Sequence, residues 1–384
     1  MILHTLLDYD VLRVIWWLLL GVLLVGFAVT DGFDLGVGSL LPFVARNDVE
    51  RRVVINTVGP VWEGNQVWLI LGGGAIFAAW PHVYAMSFAG FYLAMFATLF
   101  ALILRPVGFK YRSKQESAKW RNTWDWALFV GGFVPALIFG VALGNVLQGV
   151  PFYYTGDMRM VYQGSFLGLL NPFALLAGLV SVSMLVMHGG AWLALKTEGT
   201  VADRSRRCAS FASVATVVLY ALAGVWLWSS MSGYQLISPH VPNGPSNPLL
   251  KNVASGVAGA WFANYRNHSW TMLAPALGFA GALLALVGLR ARWEGITVIF
   301  SGLSVAGIVL SVGASMFPFI VPSSIDLRSS LTVWDASSSH LTLFVMLVCS
   351  VVFVPLILAY TAWVYRVMWG KVRPRDVTHG DHAY

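Results

Sequence analysis

Residues 14–40 read VIWWLLLGVLLVGFAVTDGFDLGVGSL, an apolar run interrupted only by Asp31 and Asp34. A hydrocarbon layer about 30 Å thick is crossed by about 20 helical residues, so this run predicts a membrane-spanning helix. Eight further runs of that kind follow, at approximately 56–79, 84–105, 124–146, 169–194, 209–231, 270–289, 295–318 and 341–366. Composition agrees: 58% of the 384 residues are hydrophobic, 11% are charged, and mean hydropathy is +0.71. A soluble domain carries about 25% charged residues, too many for this chain to match. The unbroken runs also differ from the alternating strands of an outer-membrane barrel. The expectation is an all-α, polytopic membrane protein with nine crossings, a single domain over 1–384.

Lys and Arg mark the cytoplasmic ends of membrane helices. Arg46, Arg51 and Arg52 follow the first run, and Arg105, Lys110, Arg112, Lys114, Lys119 and Arg121 lie between the third and fourth. The ends of the fifth, seventh and ninth carry a further ten, from Lys196 to Arg375. Nineteen of the 24 basic residues thus fall on one side, against five on the other. This predicts an N-terminus outside and a C-terminus in the cytoplasm, and it explains the net charge of +7 without a nucleic-acid partner. The acidic, uncleavable start reads as a retained first helix. Cys208 and Cys349 lie too far apart along this topology to pair.

Charge inside the membrane is expensive, about 2.5–3.5 kcal/mol per residue on insertion scales, and marks candidate sites. Asp31 and Asp34 are spaced to share one helix face. Glu63 lies in Val-Trp-Glu-Gly-Asn-Gln-Val-Trp, residues 61–68, flanked by Trp62, Asn65, Gln66 and Trp68. Counting about 1.5 Å per residue from the basic ends places all three carboxylates at a similar depth, so they are expected to converge. Glu63, with Asn65 and Gln66 to hold water, suits proton transfer. Asp31 and Asp34 are either part of that path or structural, with Gly32, Gly36 and Gly38 serving close helix packing. Arg105 is either their counter-charge or a positive-inside anchor. Asp125 reads as a cap of the fourth helix or as a supporting charge of the site, and Asp335 has the same double reading on the outer side. His188 is the one histidine clearly within a run, beside Gly189 and Gly190, and reads as a packing residue. No haem-attachment motif, phosphate loop or metal cluster is present, so no metal site and no catalytic residue are expected on this chain.

Several of these stretches resemble subunit II of the cytochrome bd quinol oxidases. They are Leu12-Arg13-Val14-Ile15-Trp16-Trp17, residues 30–38, Trp62 to Trp68, Arg105-Pro106-Val107-Gly108-Phe109, Met316 to Phe319 with Pro322-Ser323-Ser324, and Leu331 to Ala336. Trp120-Arg121-Asn122 and Trp124-Asp125-Trp126 resemble the classical branch. The resemblance implies two four-helix bundles plus one helix in a bacterial inner membrane, within a heterodimeric terminal oxidase that oxidises ubiquinol and reduces oxygen to water. It implies that haem d and two b-type haems belong to subunit I, with small single-helix accessory subunits, lipids and a structural quinone as further partners. It assigns subunit II to stabilising subunit I and to delivering cytoplasmic protons, past Asp34 and Glu63. The family commonly has Asp where Glu63 stands, and some relatives have His where Val61 stands. A proton-coupled secondary transporter is the alternative from another class, disfavoured by the lack of a visible repeat. A purely structural assembly subunit is a third reading.

Overall fold

The computed structural model describes residues 6–379 and is built mostly of helix. Helix α1 (Tyr9–Val44) contains the opening run. Helix α2 (Asp48–Val58) follows, with the Asn47 side chain accepting from the amide of Glu50 at its start. The chain breaks at Gly59-Pro60-Val61 and resumes as α3 (Trp62–Ala79). The single helix expected over 56–79 is therefore two, a short amphipathic helix and the more apolar α3. Pro60 has no amide to give, so the helical hydrogen-bond ladder stops there although Gly59 before it is still in helical geometry. The run at 84–105 is likewise two helices, α4 (Pro81–Gly90) and α5 (Tyr92–Tyr111), parted at Phe91.

The remaining helices are α6 (Ala118–Gln148), α7 (Pro172–Lys196), α8 (Gly199–Ser229), the short α9 (Ala263–Asn267), α10 (Leu273–Ala291), α11 (Glu294–Met316), α12 (His340–Val367) and α13 (Pro374–His379). Helix α8 begins ten residues before its apolar run because its first turns are charged and project past the membrane pattern. Antiparallel pairs join the helices at the end opposite the basic one. These are β1 (Phe152–Tyr154) with β2 (Met160–Tyr162), β3 (Ser232–Leu236) with β4 (Val253–Ala258), and β5 (Phe319–Val321) with β6 (Leu331–Thr332). The long connection over 232–268 thus contains a strand pair and α9.

Helix contacts fall into two groups, α1, α3, α5 and α6 in one and α7, α8, α10 and α11 in the other. Helices α1 and α6 both pack on α7 and join them, and small residues let α1 do so. A Cβ on Gly36 would lie 2.0 Å from the carbonyl oxygen of Leu185, and one on Gly189 would lie 2.6 Å from the backbone of Gly36. Only glycine permits that approach of α1 to α7. Helix α12 stands apart. The chain buries 6% of its most apolar window, against 61% for α7.

Among the described residues eight helices are long and apolar enough to cross a membrane. Helix α3 is not one of them, because Glu63, Asn65 and Gln66 occupy its first two turns.

Candidate functional site

The apolar surroundings leave the few buried charges nowhere to go but to one another. Asp31 is fully buried on α1 and Arg105 is 2% exposed on α5. The guanidinium meets the carboxylate with two parallel bonds, Nη1 to Oδ2 at 3.0 Å and Nη2 to Oδ1 at 2.7 Å. This fork geometry is the strongest pairing the two groups can make. Of the two roles open to Arg105, counter-charge and anchor, the geometry selects the first.

One turn along α1, Asp34 stands 3.8 Å from Arg105 Nη2. Its Oδ2 accepts from the side-chain amide of Asn65 on α3 at 2.8 Å. The carbonyl Oδ1 of Asn65 in turn accepts from the hydroxyl of Tyr365 on α12 at 2.7 Å. The second oxygen of Asp34, Oδ1, is buried and has no hydrogen-bond partner. A cavity of about 10 Å³ is lined by Asp34 and Arg105 and by Val54, Ile55 and Val58 of α2.

Trp62 and Trp68 flank this cluster. The Arg105 Cζ lies 6.0 Å from the Trp62 ring, which packs on Phe109. Trp68 fills the space where Gly26 has no side chain, 2.8 Å from where a Cβ would be. Gln66 is half-buried. Glu63 is exposed, on the opposite side of α3 from Asn65. The expected convergence thus brings together Asp31 and Asp34, with Arg105 and Asn65, while Glu63 points away. Residues two positions apart on a helix face different ways, so a shared depth did not imply a shared face.

Asp125 is not a cap. Helix α6 starts seven residues earlier, where the Ser117 hydroxyl accepts from the Trp120 amide. Asp125 is fully buried between Arg112, with Nε at 2.5 Å, and Arg51, at 2.6 Å. Asp48 joins this network through Arg112 and Arg121, both at 3.0 Å. The result ties α2 to α5 and α6. At the other end Asp335 pairs with Lys251 at 2.9 Å and accepts from the Thr332 amide.

An axial haem site needs a histidine or a similar ligand with a free donor atom. His188 does not offer one, since Nδ1 is bonded to Ser301 at 2.8 Å and Nε2 to the Val29 carbonyl at 2.9 Å. Among the described residues no group of three His, Cys, Asp or Glu is placed to hold a metal. Nothing in the sequence singles out Tyr365 or Arg112 as part of a site. Neither breaks an apolar pattern, and only the packing of α12 and α2 reveals what they touch.

The family model for cytochrome bd terminal oxidase subunit II matches residues 12–368. The chain is 52% identical over 376 residues to cytochrome bd-I ubiquinol oxidase subunit 2 of Escherichia coli (strain K12), covering 98% of this chain and 99% of that one. It is 32% identical to cytochrome bd ubiquinol oxidase subunit 2 of Bacillus subtilis (strain 168), covering 94% and 97%. A chain of the bd oxidase from Geobacillus thermodenitrificans superposes with a TM-score of 0.66 over 94% of this chain and 99% of that one. At 12% identity this last likeness concerns the fold alone. The matched span takes in every helix from α1 to α12 and all the residues of the buried cluster, and the chain belongs to the cytochrome bd terminal oxidase subunit II family.

Proposed function

We propose that this chain is the subunit of a membrane quinol oxidase that carries no haem of its own, supports a haem-bearing subunit I, and handles protons for oxygen reduction. The family match over residues 12–368 carries the proposal. It also sets aside the transporter reading. Haem d and two b-type haems belong to the partner in this reading. The two bonds that occupy His188 support that division. When bound in the partner, those groups supply the electrons and the oxygen chemistry. The residues of this chain hold the partner and position protons.

The chain then crosses a bacterial inner membrane nine times, α3 being the ninth crossing, with the N-terminus outside and the basic end in the cytoplasm. Subunit I takes the face made by α3 and α12. That face fits a close helix partner: a Cβ added at Gly64, Gly73 or Gly74 would meet nothing within 4 Å, and of α12 only Leu343 is buried. Glu63 lies on this surface. Exposed here and covered in the complex, it is placed to pass a proton across the subunit boundary.

Glu63→Gln tests this role. The expected result is slowed oxygen consumption with normal haem absorbance and normal association with the partner. Full turnover in the variant would remove Glu63 from the path and leave the chain as a structural subunit. Purification of this chain alone, with neither haem absorbance nor a second subunit, would overturn the larger proposal.

A further inference from the structure

We infer that Asp34 Oδ1 and one internal water form a proton-exchange site, and that Tyr365 positions it by fixing the orientation of the Asn65 amide. The inference rests on the proposed proton-handling role and adds to it the atom that carries the proton and the residue that selects that atom.

The argument begins with Asn65. A carboxylate only accepts hydrogen bonds and an amide has one donating and one accepting end. The donating end therefore faces Asp34 Oδ2, at 2.8 Å. The accepting end is left toward Tyr365, whose hydroxyl fills it at 2.7 Å. With both ends engaged the amide cannot turn over without losing two buried bonds. Oδ2 thus meets a donor at all times and has no room for a proton of its own.

Oδ1 is the reverse case, since it is buried and unpartnered. A buried polar atom without a partner costs about 1–3 kcal/mol, and water is the usual remedy. A cavity of about 10 Å³ has Asp34 and Arg105 on its wall. That is room for one water with two polar partners, near the lower limit for holding one. Across α2, a second cavity of about 620 Å³ is lined by Asp48, Glu50, Val53, Glu198 and Thr200. Val53 borders the large cavity and Val54, its neighbour on α2, the small one.

The charged and titratable groups around Asp34 are Asp31 from α1, Arg105 from α5 and Tyr365 from α12. Helices α2 and α6 present Val54, Ile55, Val58, Leu128 and Gly132. Asp31 and Arg105 neutralise each other, so Asp34 is the group whose charge is left over. In the exchange step a lone pair on Oδ1 takes a proton from hydronium at the water site. One O–H bond breaks on hydronium and one forms on Oδ1, leaving neutral water and neutral carboxylic acid. The reverse step returns the proton.

Infrared difference spectra between two pH values, recorded on the complex with its haem subunit, test the inference. The expected wild-type spectrum has a protonated-carboxyl C=O band that Asp34→Asn removes. In Tyr365→Phe the amide is free to turn, Oδ2 loses its donor, and the band moves to higher frequency. Asn65→Ala reads the same shift if Tyr365→Phe does not assemble. Val54→Leu fills the small cavity and slows hydrogen–deuterium exchange of the band severalfold. No Asp34-dependent band at any pH, or a band unmoved in Tyr365→Phe and Asn65→Ala, overturns the inference while haem absorbance and oxygen consumption leave the subunit assignment standing. Absence of haem from the wild-type preparation would instead mark failure of that assignment.

Discussion

Arg105 holds together what the bilayer would otherwise expel. Removing one partner of a buried ion pair costs about 3–5 kcal/mol, because the other charge stays behind without compensation. Arg105→Met leaves both Asp31 and Asp34 in that state. The expected outcome is loss of assembled complex, read as haem absorbance per unit of membrane protein, and normal haem content would show that the pair is dispensable. Asp31→Asn keeps a hydrogen-bonding group at the same place and is expected to be milder by the same measure. These residues were legible in the sequence because a charge in an apolar run is conspicuous. Tyr365 was not, since a tyrosine near a helix end is ordinary and its meaning comes from a partner 300 positions away. Glu63 was visible but its direction was not, because the polar residues at 63, 65 and 66 are spread around the helix and mark no single face.

Helix α2 is the element least legible in the sequence. It is too charged to register as a membrane span, and its last residues, 56–58, read as the start of the apolar run at 56–79. Two clamps fix it. Asp125 binds Arg112 and Arg51 on one side, and on the other Glu50 accepts from the Arg46 amide, Arg204 and Thr200. Asp125→Asn weakens the first clamp, and faster amide exchange over 48–58 is the measurement. Burial opposes ionisation of Glu50, yet these donors outweigh it and hold the carboxyl below its ordinary 4.5. A carboxyl lowered in the folded state contributes stability above its unfolded value and loses it as pH falls through the folded one. The clamp is thus intact at neutral pH, and exchange over 48–58 is expected to rise only below about 4.5. In Glu50→Gln that acid-dependent rise disappears.

Helix crossings make the same point about what packing requires. Gly36→Ala forces a Cβ into the Leu185 carbonyl at 2.0 Å. Overpacking of this kind costs about 1–3 kcal/mol, so the variant is expected to melt earlier. Gly224→Ala, where nothing lies within 4 Å, is expected to be neutral or slightly stabilising by the same melting measurement, since alanine favours the helix. Sequence spacing marked the glycines near Asp31 as packing residues. It could not name α7 as what they pack against, because that pairing joins parts of the chain about 150 residues apart.

For the molecule as a whole, the spans and the crowding of basic residues at one end follow from composition and periodicity. The division into two helix groups with α12 outside them does not, because all the spans are similarly apolar and only contacts separate them. Helix α12 is held mainly near its ends. The Trp16 indole donates to the Leu343 carbonyl at one end. At the other, Tyr365 reaches Asn65 and the Lys196 ammonium reaches the Met368 carbonyl. Among the described long helices it is also the last in chain order, and so the last to be synthesised. Helices α1 to α11 can settle their glycine crossings and ion pairs while α12 is still being made, so the wall beside α3 is finished last. A nascent chain halted before His340 would carry a packed interior and an unfinished outer face. The order of synthesis therefore keeps the surface shared by α3 and α12 from forming until α1 to α11 have been made.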